Sequence, residues 1–276
     1  MSLFEPVPED DQDPLFHPPG TLEWSKQDRK QSGWSPVTLA FVALIFIAFA
    51  AAALLRLSGL GKDPPTAVCS HNLQQIGLAL DTYRAAHGCF PPAYTLDAKG
   101  RPMHSWRALL LPYFKKGAIS SKVLEGYDFA LSWDSPHNQR LLNRAPDIYR
   151  CPADTVGAAR TTTSYMAVLG ADTLWPFEKP RPVAEVPRGL ADTIAVVEVA
   201  GQDVPWLEPR DLSYEELTLK LNDSGADDPA SEHAGVVNAL FADGHVAPLN
   251  ADVSPEELRK LLSVSDDGAR TEPVAP

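Results

Sequence analysis

The sequence predicts an α+β fold: an N-terminal transmembrane helix, then a domain in which a long amphipathic helix packs on an antiparallel β-sheet. Three observations point there. An uncharged apolar run at Ser35–Leu55 is followed at once by a long helical stripe at Thr66–Pro92. The strand-like segments fall in the second half of the chain and end in a hairpin signal at Asp243-Gly244. Helix first and strands later, without βαβ alternation, favours segregated layers and antiparallel pairing.

Composition sets the outer limits. The chain has 276 residues, enough for one large domain or two small ones beside a membrane segment. Its 26 prolines are close to double the usual ~5% share, so breaks and long loops are expected. The formal charge is −12. An acidic surface without clustered Lys/Arg argues against nucleic acid as a partner, because phosphate contacts need basic patches.

Residues 1–34 are polar, rich in Pro and Asp and without helical period, which reads as a disordered cytoplasmic tail. The apolar run then supplies 21 uncharged residues, the ~20 needed to cross a bilayer core. A transmembrane helix is expected over 35–56. It is longer than a signal-peptide core, begins late, and lacks a small-residue cleavage site after it. Lys26, Arg29 and Lys30 precede the run, while Arg56 and Lys62 follow. This bias favours a cytoplasmic N-terminus in the inner membrane and a main domain outside, periplasmic or extracellular. Lipid, through residues 35–56, is the one partner this implies directly.

A linker at 57–65 leads to the amphipathic helix. Cys69, Leu73, Ile76, Leu80, Tyr83 and His87 recur at spacings of 4, 3, 4, 3 and 4, with Gln74, Gln75, Asp81 and Arg84 off that stripe. Pro64 and Pro65 suit a first helical turn, and Asp63 suits its cap. Gly88 suits the left-handed residue after the last turn, and Pro91-Pro92 stop continuation.

Asp97–Gly100 reads as a turn between short extended pieces. Ser105 caps a short apolar helix that Pro112 ends or bends. Ser132–Ala145 reads as a turn and a short helix with Leu141 and Leu142 inward. Thr161–Leu169 is a β-rich alternating strand, and Thr193–Val199 a buried one. Gly170–Pro187 reads as loop. The acidic stretch 201–232 reads as irregular, with a helical turn at Tyr214–Lys220. Asp243-Gly244 predicts a hairpin with a type I′ turn between 235–242 and 245–249. Ser254 caps a helix at Pro255–Ser263. The expected domain runs over 66–265, with a disordered tail at 266–276.

Cys69 and Cys89 lie at opposite ends of one helix and cannot bridge each other. A disulfide, if formed, joins Cys151 to one of them; three buried thiols are the other reading. No zinc spacing and no Cys-x-x-Cys occurs.

Chemistry-bearing residues are few. His233, Asp243 and His245 gather near one hairpin, with Glu198 on a neighbouring strand. They are either metal ligands or an acid/base set, or simply turn and strand residues; the turn chemistry of Asp-Gly favours the plainer reading. The acidic loop Asp223–Asp228 offers oxygens for calcium. Trp106, Trp133, Trp175 and Trp206 either line a ligand groove or anchor the core. No phosphate loop, nucleophile elbow or His-Glu-x-x-His is present. We therefore expect no enzyme, no catalytic residues, no cofactor and no resident metal.

From Cys69 onward, CSHNLQQIGLALDTYRAAHGCFPP resembles the opening of the planctomycete family known as domain of unknown function 1559. The resemblance continues through SWRALLLPYF, WDSPHNQRLL, YRCPAD, TSYMAVLG, TIAVVE and VPWLEPRDL. It closes on the family's His, nine residues, Asp-Gly signature, here His233 to Asp243-Gly244. It covers roughly residues 67–265. Members are similar to type IV prepilins and secretion pseudopilins, which implies a pilin-like exported domain. Three features depart from that pattern. Arg188-Gly189-Leu190-Ala191-Asp192 stands where members usually show Asp-Gly-Thr-Ser-Asn before Thr-Ile. Thr38 stands where the glutamate of a prepilin cleavage site would be, and Pro64-Pro65 interrupt the helix between membrane and domain. A tethered, hinged domain is expected rather than a filament subunit. The functional expectation is a membrane-tethered structural or interaction protein of the cell envelope. The alternatives are an envelope binding protein for glycan, peptide or calcium, and an uncharacterised hydrolase.

Overall fold

The computed structural model describes residues 35–59, 65–154, 161–222, 228–233 and 235–265, with side chains beyond the backbone omitted for 50–59 and Pro65. The expected tails at 1–34 and 266–276 lie outside the described residues. So do Asp63, Pro64 and most of the linker; its margins are helical, since residues 57–59 end one helix and Pro65 begins the next. The chain divides into two units, Met1–Gly61 and Lys62–Pro276.

In the first unit, α1 (Pro36–Gly59) covers the apolar run. Among the described residues no helix is long and apolar enough to cross a membrane, and the side chains of 50–59 fall outside them. Phe41, Leu44, Ile45, Phe46, Ile47 and Phe49 are all exposed.

The second unit is α+β. Its opening helix is α2 (Pro65–His87). Cys69, Leu73, Ile76 and Leu80 are buried along one side, while Gln74 and Asp81 are exposed. Tyr83 and His87 continue the stripe as an aromatic group with Tyr113. Gly88, at φ 75°, ends the helix, and its N–H donates to the Arg84 carbonyl.

Short elements follow: β1 (Cys89–Phe90), β2 (Tyr94–Leu96), β3 (Pro102–Ser105), α3 (Trp106–Leu109) and α4 (Ser121–Leu124). β2 and β3 pair antiparallel around the expected turn, where Asp97 accepts from the backbone N–H groups of Lys99 and Arg101. Ser105 caps α3 by accepting from the Ala108 N–H. The short helix expected in 132–145 is a 3₁₀ segment, Asn138–Arg144.

The strand expected at Thr161–Leu169 is two pieces, β4 (Tyr165–Met166) and β5 (Val168–Leu169). They separate at Ala167, whose N–H leaves the ladder to donate to Asp211. The loop Gly170–Pro187 contains β6 (Arg181–Pro182), which pairs with β1. β7 (Ile194–Glu198) is buried at every position. At Tyr214–Lys220 no helix forms; a single turn closes where the Glu216 N–H donates to the Ser213 carbonyl. Stretch 201–222 instead supplies core through Val204, Trp206, Leu207 and Leu212, and β8 (Leu212–Ser213) runs parallel to β5.

β9 (Val236–Phe241) and β10 (Val246–Asn250) form the expected hairpin, but its turn is not type I′. That type needs φ > 0 at both central residues. Here only Gly244 is left-handed, at φ 97°. The Gly244 N–H donates to the Phe241 carbonyl and the Phe241 N–H to the His245 carbonyl. The loop is therefore Ala242-Asp243-Gly244, a type I turn closed by a left-handed glycine.

The main sheet has the order β10-β9-β7-β4 and is antiparallel throughout. α2 covers one face, with Leu73, Ile76 and Leu80 sharing a core with Tyr165, Val196 and Leu240. α5 (Pro255–Leu262), capped by Ser254, covers the other through Leu258 and Leu262 against Val197, Val237 and Ala239. The alternation along β9 decides which residue meets which helix. Glu198 and Asn238, on the parity of Val196 and Leu240, face α2.

Candidate functional site

Four polar side chains meet under the first turn of α2. Cys69 and Cys151 are joined in a disulfide with Cα atoms 5.3 Å apart, and Cys89 is unbridged. Of the three alternatives left open by the sequence, the structure has the Cys69–Cys151 pairing. His233 Nε2 lies 3.4 Å from Cys151 Sγ and 3.4 Å from Glu198 Oε1. One donor atom from each of Cys69, Cys151, Glu198 and His233 lies within 4.8 Å of all the others, and all four residues are buried.

Each arrives by a separate route. Cys69 rides on α2, three residues before Asn72. The Asn72 amide donates to the carbonyls of Asp147 and Arg150, fixing the segment that carries Cys151. The Cys151 N–H donates to Ser164 Oγ, just before β4. Glu198 ends β7 opposite Tyr165. Segment 228–233 bridges to the end of β7 at Val199↔Ala230, which delivers His233 beside Glu198.

The Glu198 carboxylate is asymmetric. Oε2 accepts from the Asn238 N–H at 2.9 Å, the Asn238 amide at 2.8 Å and Ser231 Oγ at 3.2 Å. Oε1 has no hydrogen-bond partner among the described residues. Burial pushes this carboxyl above its ordinary value, against the opposing pull of Asn238, His233 and Ser231.

The four residues expected together from sequence are split. Asp243 and His245 sit at the tip of the β9–β10 hairpin, with Nδ1 and Oδ1 2.6 Å apart and the imidazole stacked on Phe241. His233 and Glu198 lie at the opposite end of β9. The nine residues between His233 and Asp243 are what β9 needs to cross the sheet. His233 stands at the hairpin's entry, where its carbonyl accepts from the Val236 N–H, and its side chain is buried. Of the calcium-type loop, 223–227 lie outside the described residues. Asp228 is buried and accepts from the Thr218 and Leu219 N–H groups. Trp106, Trp175 and Trp206 are fully buried, with Trp133 packed against the same core, so they anchor it. Their indole N–H groups donate to Asp211, Ala195 and Leu141.

Sequence reading missed the cysteines as members of the site, and missed Arg107 and Asp211. Arg107 is fully buried, pairs with Asp211 at 2.6 Å and donates to the carbonyls of Trp206, Glu208 and Arg210.

Residues 66–179 match the family model described as Protein of unknown function (DUF1559). Over those residues the chain is similar to this family. The match takes in α2, both bridged cysteines and β1–β5, and it ends before Glu198 and His233. No curated protein and no solved structure matches the chain. A likeness to a family of unknown function carries no activity with it.

Proposed function

We propose that this protein is a membrane-tethered, pseudopilin-like structural or interaction component of the cell envelope. α1 anchors it in the inner membrane with the N-terminus cytoplasmic, and the second unit works outside. The observation that carries the reading is the exposed apolar surface of α1: Phe41, Leu44, Ile45, Phe46, Ile47 and Phe49 are aliphatic or aromatic and unburied in one helix. Water tolerates scattered apolar side chains but not a continuous apolar cylinder, whereas lipid accepts one. The succession of an apolar helix, a long helix and an antiparallel sheet supports the pilin-like half of the reading. The disulfide supports an oxidising compartment for the second unit. The reading assigns the protein no catalytic turnover.

Fractionation of cells expressing the full chain tests this. Carbonate-resistant recovery in the inner membrane is expected, with residues 65–265 open to protease added from outside and an intact N-terminus. Recovery in the soluble fraction, or protection of the second unit in sealed cells, would sink the proposal. In-cell crosslinking then separates assembly from solitary tethering.

A further inference from the structure

We propose that Cys69, Cys151, Glu198 and His233 form a tetrahedral site for a thiophilic divalent cation, Zn²⁺ in class, occupied when the Cys69–Cys151 disulfide is reduced. The disulfide and the metal are alternative occupants of one pocket.

A disulfide needs neither an imidazole nor a carboxylate beside it, yet both are here and both are buried. Glu198 has a side chain 2% exposed, and its Oε1 is directed at His233 and accepts no hydrogen bond from the described residues. Leaving a buried carboxylate oxygen bare is costly unless a cation is there to meet it. The nearest positive candidate, His233 Nε2 at 3.4 Å, is beyond good hydrogen-bond range. That distance has another meaning. Metal bonds of ~2.0–2.3 Å at tetrahedral angles place N and O ligands about 3.4 Å apart, and N and S ligands about 3.6 Å apart. The two measured separations from His233 Nε2, 3.4 Å to Oε1 and 3.4 Å to Cys151 Sγ, fit those edges.

The outer partners fit as well. Glu198 Oε2 is clamped by Asn238 and Ser231, which leaves Oε1 as the donor and fixes its aim. Two thiolates, an imidazole and a carboxylate suit zinc. They do not suit calcium, which takes six or more oxygens.

The chemistry balances. A thiol reductant delivers two electrons and two protons to the S–S bond, giving two thiols and an oxidised reductant disulfide. Zn²⁺ then displaces the two thiol protons and binds the thiolates, since the thiolate is the metal ligand. A disulfide-class oxidant reverses this: the two thiolates give up two electrons, the S–S bond re-forms and Zn²⁺ leaves.

The test uses the full chain in detergent, prepared once oxidised and once reduced with a phosphine, with Co²⁺ as probe. The reduced chain is expected to bind one Co²⁺, with thiolate-to-metal charge transfer and intense tetrahedral d–d absorption. Zn²⁺ should displace it and raise Tm, and the oxidised chain should show neither band. His233→Asn and Glu198→Gln should each weaken Co²⁺ binding at least tenfold in the reduced form while circular dichroism stays native. If the reduced chain folds only with metal, refolding driven by Zn²⁺ counts for the site. A reduced chain that binds no Co²⁺, folded or unfolded, would overturn the proposal. So would binding indifferent to both substitutions, or equal binding by the oxidised chain.

Discussion

Glu198 and Asp211 are two buried acids in one unit, with side chains 2% and 1% exposed, and each leaves one carboxylate oxygen without a hydrogen-bond partner. They are held by different means. Asp211 sits where regular structure is sparse, and its Oδ1 gathers Arg107, the Trp106 indole and the Ala167 N–H. Burial pushes its carboxyl up, while the guanidinium pulls it back down. Arg107 spends its remaining N–H groups on the carbonyls of 206–210, so a permanent ion pair stands in for a missing sheet. Glu198 sits at the end of a central strand that needs no such help. Among the described residues its Oε1 faces His233 and the two bridged sulfurs and no Lys or Arg pairs with it. The difference teaches how to tell a scaffold charge from a site charge. The first is satisfied by groups of fixed charge that also tie the backbone. The second is left facing groups whose charge or chemistry can change.

The comparison can be broken experimentally. The largest effect is expected from the Glu198 side's covalent bond. Replacing both Cys69 and Cys151 by Ala frees a loop of sequence separation 82, which should cost about 4–5 kcal/mol in oxidising buffer. Denaturant unfolding measures it, and a loss under ~1 kcal/mol would mean that Asn72 and the sheet already fix this junction. Next, Arg107→Met should cost about 3–5 kcal/mol by stranding Asp211. Adding Asp211→Leu should recover part of that loss; no recovery would show that Arg107 acts through the 206–210 carbonyls instead.

The paired amide substitutions draw the contrast directly. Asp211→Asn should cost ~2 kcal/mol, because it weakens a charged pair with three donors. Glu198→Gln in the oxidised protein should change stability by less than ~1 kcal/mol, since the amide keeps an acceptor toward Asn238 and removes an uncompensated charge. Equal losses at both positions would erase the distinction. Ordinary packing on the sheet side is probed at Gly77. A Cβ there would meet Leu240 Cδ1 at 2.8 Å and the Gly244 backbone at 3.3 Å. Overpacking should outweigh the gain in helix propensity, for a net loss of about 1 kcal/mol in Gly77→Ala.

The smallest effect is a pH dependence on the loop-rich side. His104 Nε2 donates to the Phe129 carbonyl and Nδ1 accepts from Tyr127, an arrangement that requires the neutral ring. Burial lowers its pKa, more than the Phe129 carbonyl and Asp128 raise it. As pH falls below the ordinary imidazole value of about 6.5, the unfolded chain therefore takes up this proton first. Its contribution is complete above that value and is lost progressively below it, down to the folded-state pKa. Tm measured between pH 7 and 5 should fall more in the wild type than in His104→Gln; equal slopes would remove His104 as the cause.

Legibility follows the range of the interaction. The α2 stripe, the Ser105 and Ser254 caps, Gly88 and the Asp97 turn are settled within four or five residues, and each stands where the sequence places it. The hairpin was readable too, but its turn type was not: Asp-Gly serves both a type I′ turn and a type I turn followed by a left-handed glycine. The split of β4 from β5 was invisible, because the acceptor for Ala167 N–H lies 44 residues further on. The cluster under α2 was invisible for the same reason. Cys151 and His233 are separated by 82 residues, and no local pattern brings them together. Glu198 and His233 were singled out from sequence, yet grouped with the wrong end of the hairpin, because nearness in sequence to Asp243 is not nearness across a six-residue strand.

The position of Cys69 has a mechanical consequence. It lies five residues into the second unit's described chain, in the opening turn of α2. A pull on the chain at Pro65 would meet a covalent crosslink to Cys151 within about one helical turn, before any strand of the sheet is loaded. Hydrogen-bonded ladders yield under tension one rung at a time, whereas a sulfur bridge, or a metal gripped by the same sulfurs, does not. The junction where a dragged or anchored domain would otherwise begin to unravel is fastened by a covalent bond.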